Sequence, residues 1–242
     1  MVVVEASGLG LRTRRGWVFR NVDLTVGAGE LHAITGAPGS GRTSLLLALA
    51  GRFPTSAGRL RRHGAAALGQ VVGVHEADPE LTVAEHIAER LLLLGRRADP
   101  TGLKVWHRRA VRRDAVAAVI EAAGLEAEVA LAPSTRGRDL TPVQRQVLGL
   151  VLATLSGPEL IVADDVDAGA TQAEQARLWA ILGRLTERGY AIVVTAREAE
   201  PDTASIVHRL DEHPAVDQPP SAAQATTAPH VGIVHTEQVG VN

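Results

Sequence analysis

Residues 36–44 read Gly36, Ala37, Pro38, Gly39, Ser40, Gly41, Arg42, Thr43, Ser44. Glycine at 36, 39 and 41 lets the backbone turn tightly, so that successive N–H groups converge into an anion-binding nest. A helix beginning at Arg42 would add the positive end of its dipole at the same spot. Phosphate oxygens are the natural guests of such a loop, and all nine residues are candidate contacts. Thr43, the hydroxyl after the basic residue, is placed to ligate the Mg²⁺ that bridges the outer phosphates of a nucleotide. The motif ordinarily has lysine where Arg42 stands. Arginine keeps the charge at any pH but replaces a compact ammonium with a wide planar fork.

Such a loop works only between a strand that stops at it and a helix that starts from it. Leu31 to Thr35 is an apolar run suited to a buried strand, and Arg42 to Ala50 is a leucine-rich helix stopped by Gly51. Met1 to Glu5 and Val22 to Val26 read as further strands. Val83 to Leu94, Lys104 to Ala123 and Pro142 to Leu155 read as helices. The strand-helix rhythm then resumes with the strand Leu160 to Ala163. A helix follows, capped by Thr171 and Glu174 and running to Arg188, and then the strand Tyr190 to Thr195. The expected fold is an α/β body with a mostly parallel central sheet, interrupted by a helical subdomain at about 77–156. Residues 211–242 are rich in Pro, Ala, Thr and Gln and are expected to be a disordered tail.

Two later blocks and one earlier one extend the pattern. Leu140-Thr141-Pro142-Val143-Gln144-Arg145-Gln146 heads a helix, and Pro158 to Asp165 ends an apolar strand in two acids. Leu81-Thr82-Val83-Ala84-Glu85-His86 opens the helical region. In this order and spacing, over about residues 2 to 210, the chain resembles the nucleotide-binding subunit of ATP-binding-cassette (ABC) transporters, a P-loop NTPase. The first block is similar to that family's LSGGQRQ signature, the second to its second nucleotide-binding strand, and the third to its "LTVxEN" segment.

The resemblance implies ATP and Mg²⁺ as ligands, with Asp164 and Thr43 serving the metal. It puts Asp165 where the family has the glutamate that polarises the attacking water, one methylene shorter. It puts Glu76 in place of the glutamine that links Mg²⁺, water and the transmembrane partner. Thr141 and Gln144 belong to the signature segment, which faces the nucleotide of a second subunit. Pro142 and Val143 replace two glycines there, and Pro142 lacks the backbone N–H. Thr195-Ala196 stands where the family has a histidine that contacts the γ-phosphate. These departures describe a degenerate cassette in which hydrolysis is slowed or lost, since one missing transition-state contact typically costs about 10²- to 10³-fold in rate. By resemblance it would dimerise with itself or with another cassette, beneath a separate transmembrane subunit at the cytoplasmic face of the membrane. The alternatives are a nucleotide-sensing regulator uncoupled from transport and an active ATPase that tolerates its substitutions.

Composition closes off other classes. Lys and Arg number 25 against 27 Asp and Glu, a net charge of −2 that argues against a nucleic-acid-tracking surface. There is no cysteine, hence no disulfide, thiolate metal site or cysteine nucleophile. Nine histidines show no metal-binding spacing, and His32 is expected to pack within its strand. Arg108, Arg109, Arg112 and Arg113 share a helix face, read as a solvated one; Arg12, Arg14 and Arg15 read as an exposed loop. Only 2% of residues are aromatic. The adenine-stacking position of the family falls near Thr13, with Trp17 the nearest ring, so phosphate contacts should dominate and ATP should be poorly told from GTP.

Overall fold

The computed structural model describes residues 1–95, 118–119, 129–198 and 206–210. Most of the expected helix from Lys104 to Ala123, with its four arginines, and the expected tail at 211–242 lie outside the described residues.

Strands β1 (Val2–Thr13), β2 (Gly16–Gly27) and β4 (Ala57–Arg62) form an antiparallel sheet in the order β2-β1-β4. Five parallel strands form the second sheet. They are β3 (Leu31–Gly36), β5 (Ala66–Leu68), β6 (Leu160–Ala163), β7 (Ala191–Thr195) and β8 (Ile206–Leu210), in the order β5-β6-β7-β3-β8. The helices are α1 (Arg42–Leu49), α2 (Val83–Leu93), α3 (Pro142–Thr154) and α4 (Gln172–Glu187).

The inner parallel strands are apolar at nearly every position because both of their faces are covered. Alternate residues sort into two cores. Leu31, Ala33, Ile161, Ala163, Ile192 and Val194 point into a core shared with α2, α3 and α4. Ile34, Leu160, Val162, Ala191 and Val193 point into a second core shared with α1 and the antiparallel sheet. The parallel sheet is therefore clamped between three helices on one side and a helix plus a sheet on the other.

That clamp fixes the C-terminal ends of β3, β6 and β7 side by side, with β7 in the middle. Hydrogen bonds across the ends complete the frame. The Ala196 amide donates to the Ile34 carbonyl at 3.2 Å, and the Val166 amide donates to the Thr195 carbonyl at 3.0 Å. Everything after β3, β6 and β7 opens onto one crest, which is where parallel α/β sheets hold ligands.

Candidate nucleotide-binding site

The loop between β3 and α1 is shaped by what a side chain there would strike. Gly41 has φ +90°, and a Cβ at that position would lie 2.2 Å from the Val18 carbonyl oxygen. Only glycine permits both the left-handed backbone and the approach of β2. The Ser40 hydroxyl is buried in the loop without a hydrogen-bond partner, a group whose burial costs free energy unless something accepts or donates to it. Helix α1 begins at Gly41 with no side-chain cap.

The α-helices α2, α3 and α4 are finished differently. At α2, α3 and α4 the residues Thr82, Thr141 and Thr171 each accept the amide three positions on, and Glu85, Gln144 and Glu174 reach back to the cap amide. Three capping boxes satisfy those helix starts from within. The start of α1 is left for an anion to satisfy.

Across the crest, Thr43 Oγ1 donates to Asp164 Oδ2 at 2.8 Å. Asp164 is buried at 3% exposure, and the Thr195 hydroxyl donates to its second oxygen. Its backbone is held as firmly. The Asp164 amide donates to the Gln70 carbonyl at 2.9 Å, and Gln146 Nε2 donates to the Asp164 carbonyl at 2.8 Å. A hydroxyl and a carboxylate thus share one point beside the phosphate loop. Both are hard oxygen donors, the chemistry that Mg²⁺ selects, so the residues present fit that ion. Among the described residues no cluster of three or more His, Cys, Asp or Glu could hold a metal by itself.

Asp165 turns the chain at φ +43°, with its amide donating to Thr195 Oγ1 at 2.7 Å. Its carboxylate meets Arg42: Nη2 lies 3.1 Å from Oδ1, while Arg42 Nη1 donates to the Ala196 carbonyl at 2.6 Å. Burial and the Asp164 carboxylate push Asp165 up from the ordinary aspartate range, with Arg42 pulling the other way.

The structure therefore brings Arg42, Thr43, Asp164 and Asp165 into one cluster. Glu76 lies outside it: the side chain is exposed and its carboxylate accepts the Gly73 amide. The residue that reaches Asp164 from the end of β5 is the buried Gln70, through its backbone carbonyl. Thr141 and Gln144 cap α3 with their own side chains, and Gln144 Nε2 also donates to the Ala130 carbonyl at 2.9 Å. Thr13 sits at the tip of the β1–β2 hairpin, where its hydroxyl donates to the Gly16 carbonyl. Trp17 pairs with Arg12 across that hairpin, its ring 5.6 Å from the guanidinium carbon.

A strand-loop-helix with an uncapped start, beside a second strand ending in a threonine-bound aspartate, is a nucleotide-site geometry, and comparison with known proteins gives it a family. Residues 19–168 match the ABC transporter family model. The chain is a member of the ABC transporter ATP-binding family. It is 30% identical over 220 residues to a putative ABC transporter ATP-binding protein of Streptomyces coelicolor, covering 85% of this chain and 35% of that one. It is also 30% identical over 199 residues to the zinc import ATP-binding protein ZnuC of Cereibacter sphaeroides, covering 82% of this chain and 74% of that one. The chain thus spans about a third of the length of its Streptomyces relative. Among solved structures, a dimeric post-hydrolysis ATP-binding cassette bound to ADP and Pi superposes with a TM-score of 0.60 at 19% identity, covering 81% of this chain and 88% of the other. The cassette fold, with its parallel sheet, is common to both.

Four contacts were missed by sequence reasoning. The hydroxyl of Thr195, the side chain of Gln146, the backbone of Gln70 and the pairing of Arg42 with Asp165 all bear on the acids. A signal existed for two of them. A polar residue inside an apolar run, as in Ala191–Thr195 or the α3 face, must find a buried partner.

Proposed function

We propose that this chain binds MgATP at residues 36–44 and acts as a cassette subunit of a membrane transporter, with slow turnover. The observation that carries the binding half is the uncapped start of α1, set beside the Thr43–Asp164 hydrogen bond, in a chain where α2, α3 and α4 each start with a capping box. Loop amides and the Arg42 charge would hold phosphate oxygens, and Thr43 and Asp164 would hold Mg²⁺. The ion supplies charge neutralisation between phosphate oxygens. Gln70, through its backbone carbonyl, is the residue that bonds Asp164 from the end of β5, whereas Glu76 does not reach it.

Slow turnover rests on the residues around Asp165. Its carboxylate is short and paired with Arg42, and Ala196 offers no side-chain hydrogen bond where the family has histidine. Transport rests on the family and on the surface near α2. A cleft is lined by Gln70, Glu76, His86, Arg90, Leu93 and Leu152, and Val72, Val74 and Leu92, each within two positions of a lining residue in sequence, are exposed, a place for a separate transmembrane subunit. No described helix is long and apolar enough to cross a membrane, and the proposed location is peripheral, at the cytoplasmic face.

Equilibrium titration with a fluorescent ATP analogue, with and without Mg²⁺, tests the reading. The expected result is binding that Mg²⁺ strengthens, and Thr43→Ala or Asp164→Asn should each remove most of that Mg²⁺ enhancement, about tenfold. Absence of binding in both conditions would refute it. Steady-state phosphate release near that of an intact cassette, abolished by Asp165→Ala, would sink the slow-turnover half alone.

A further inference from the structure

Arg42 and Asp165 depart from the family in opposite senses, a longer cation facing a shorter anion, and in the structure they meet. The guanidinium uses both of its ends: one nitrogen lies 3.1 Å from Asp165 Oδ1 and the other donates to the Ala196 carbonyl at 2.6 Å. The Arg42 side chain is 11% exposed and that of Asp165 is 41%, so the pair is half shielded from water. A planar fork with two separated nitrogens spans two such acceptors, and a single ammonium could not do so in the same geometry. Arg42 opens α1, yet its charge is directed to the ends of β6 and β7. The left-handed turn at Asp165, fixed by its amide on Thr195 Oγ1, sets the carboxylate where that fork ends.

We propose that the Arg42–Asp165 pair is a latch on the phosphate loop: nucleotide phosphates gain the Arg42 cation only by taking it from Asp165 and the Ala196 carbonyl. The inference rests on the nucleotide reading above and concerns the regulation of that same site. Apparent affinity is lowered by the fraction of molecules in which the latch is closed. The two substitutions are then one device, in which each makes sense of the other.

A double-mutant cycle read by calorimetric titration decides it. Asp165→Asn is the informative variant, because asparagine tolerates the left-handed backbone at this position and the fold is kept. Arg42→Met keeps the aliphatic stem and removes the fork. MgADP is titrated alongside MgATP, since it has no γ-phosphate to lose and turnover cannot create a difference. Thermal midpoints of all four proteins verify folding. The latch predicts that Asp165→Asn tightens both nucleotides by roughly five- to tenfold, the worth of a half-buried pair. It predicts that Arg42→Met, which removes the latch and a phosphate contact together, does not tighten binding, and that adding Asp165→Asn to it gives no tightening. Tightening that persists without Arg42 would mean that Asp165 acts by direct repulsion of phosphate, and the latch is overturned. It is equally overturned if wild type binds and Asp165→Asn leaves affinity unchanged. Should none of the four proteins bind either nucleotide, the nucleotide reading itself falls and carries the latch with it.

Discussion

Asp164 is held from four directions, and each hold comes from a different element. Thr43 on α1 and Thr195 on β7 donate to its carboxylate, while Gln70 after β5 and Gln146 on α3 bond its backbone. Gln146 is buried at 7% exposure, so its loss would leave the Asp164 carbonyl without that partner. Gln146→Leu should destabilise the fold by about 1–3 kcal/mol, the penalty for leaving a buried carbonyl unpaired, and should also weaken Mg²⁺-dependent nucleotide binding. Chemical denaturation with a parallel titration measures both. A stability loss without any binding change would show that Gln146 merely packs. Thr43 and Asp164 were legible in the sequence because the loop and the acidic strand end carry local patterns. Their mutual hydrogen bond was not, because residues 121 apart in sequence meet only through the strand order.

At the level of elements, legibility followed burial. β3, β6 and β7 are covered on both faces and show as apolar runs, with the strand Leu160–Ala163 read at its observed ends. β4, β8 and the three-residue β5, too short to show a pattern, were not anticipated. β4 reads Ala-Gly-Arg-Leu-Arg-Arg with no buried residue, and β8 is an edge strand with one. Such strands owe their existence to a neighbour's ladder rather than to their own pattern. β8 is also where acid sensitivity concentrates. His208 Nε2 meets Nδ1 of buried His32 at 2.9 Å, and His32 Nε2 meets Glu30 at 3.1 Å. Burial and His32 hold His208 below its ordinary 6.5, so the unfolded chain takes up that proton first. Stability should therefore be level above about pH 6.5 and fall as pH drops below it. Glu30, held below its ordinary 4.5 by the Gly27 amide and by His32, adds a second loss under that value. Thermal midpoints between pH 8 and 3 should show both steps, and His208→Gln should flatten the first. An unaltered first step in that variant would assign it elsewhere.

For the molecule as a whole, the contrast among helix starts separates what the chain can hold from what it can offer. The start of α1 is open to an anion, whereas at α3 Pro142 has no N–H and the Gln144 amide is taken by Thr141. A chain of this kind can bind a phosphate on its own loop but presents little to a phosphate on a second copy. MgATP should then drive little self-association in sedimentation velocity. Restoring the family glycines through Pro142→Gly with Val143→Gly should produce it, and a wild-type chain that dimerises with MgATP as readily as that variant would contradict the expectation. Pairing with an intact cassette would supply the amides that α3 does not offer.

The open start of α1 has a consequence for motion as well as for binding. Helix ends without caps fray, and their amides exchange with solvent faster than those behind a capping box. Here that end is also the wall of the loop, so a bound phosphate would serve as the cap that no side chain provides. Amide exchange at Thr43 and Ser44 should slow on adding nucleotide, while the already capped starts of α2 and α4 stay as they were. The fold thus leaves one helix to be completed by its ligand, and the rate at which those two amides exchange becomes a direct reading of occupancy.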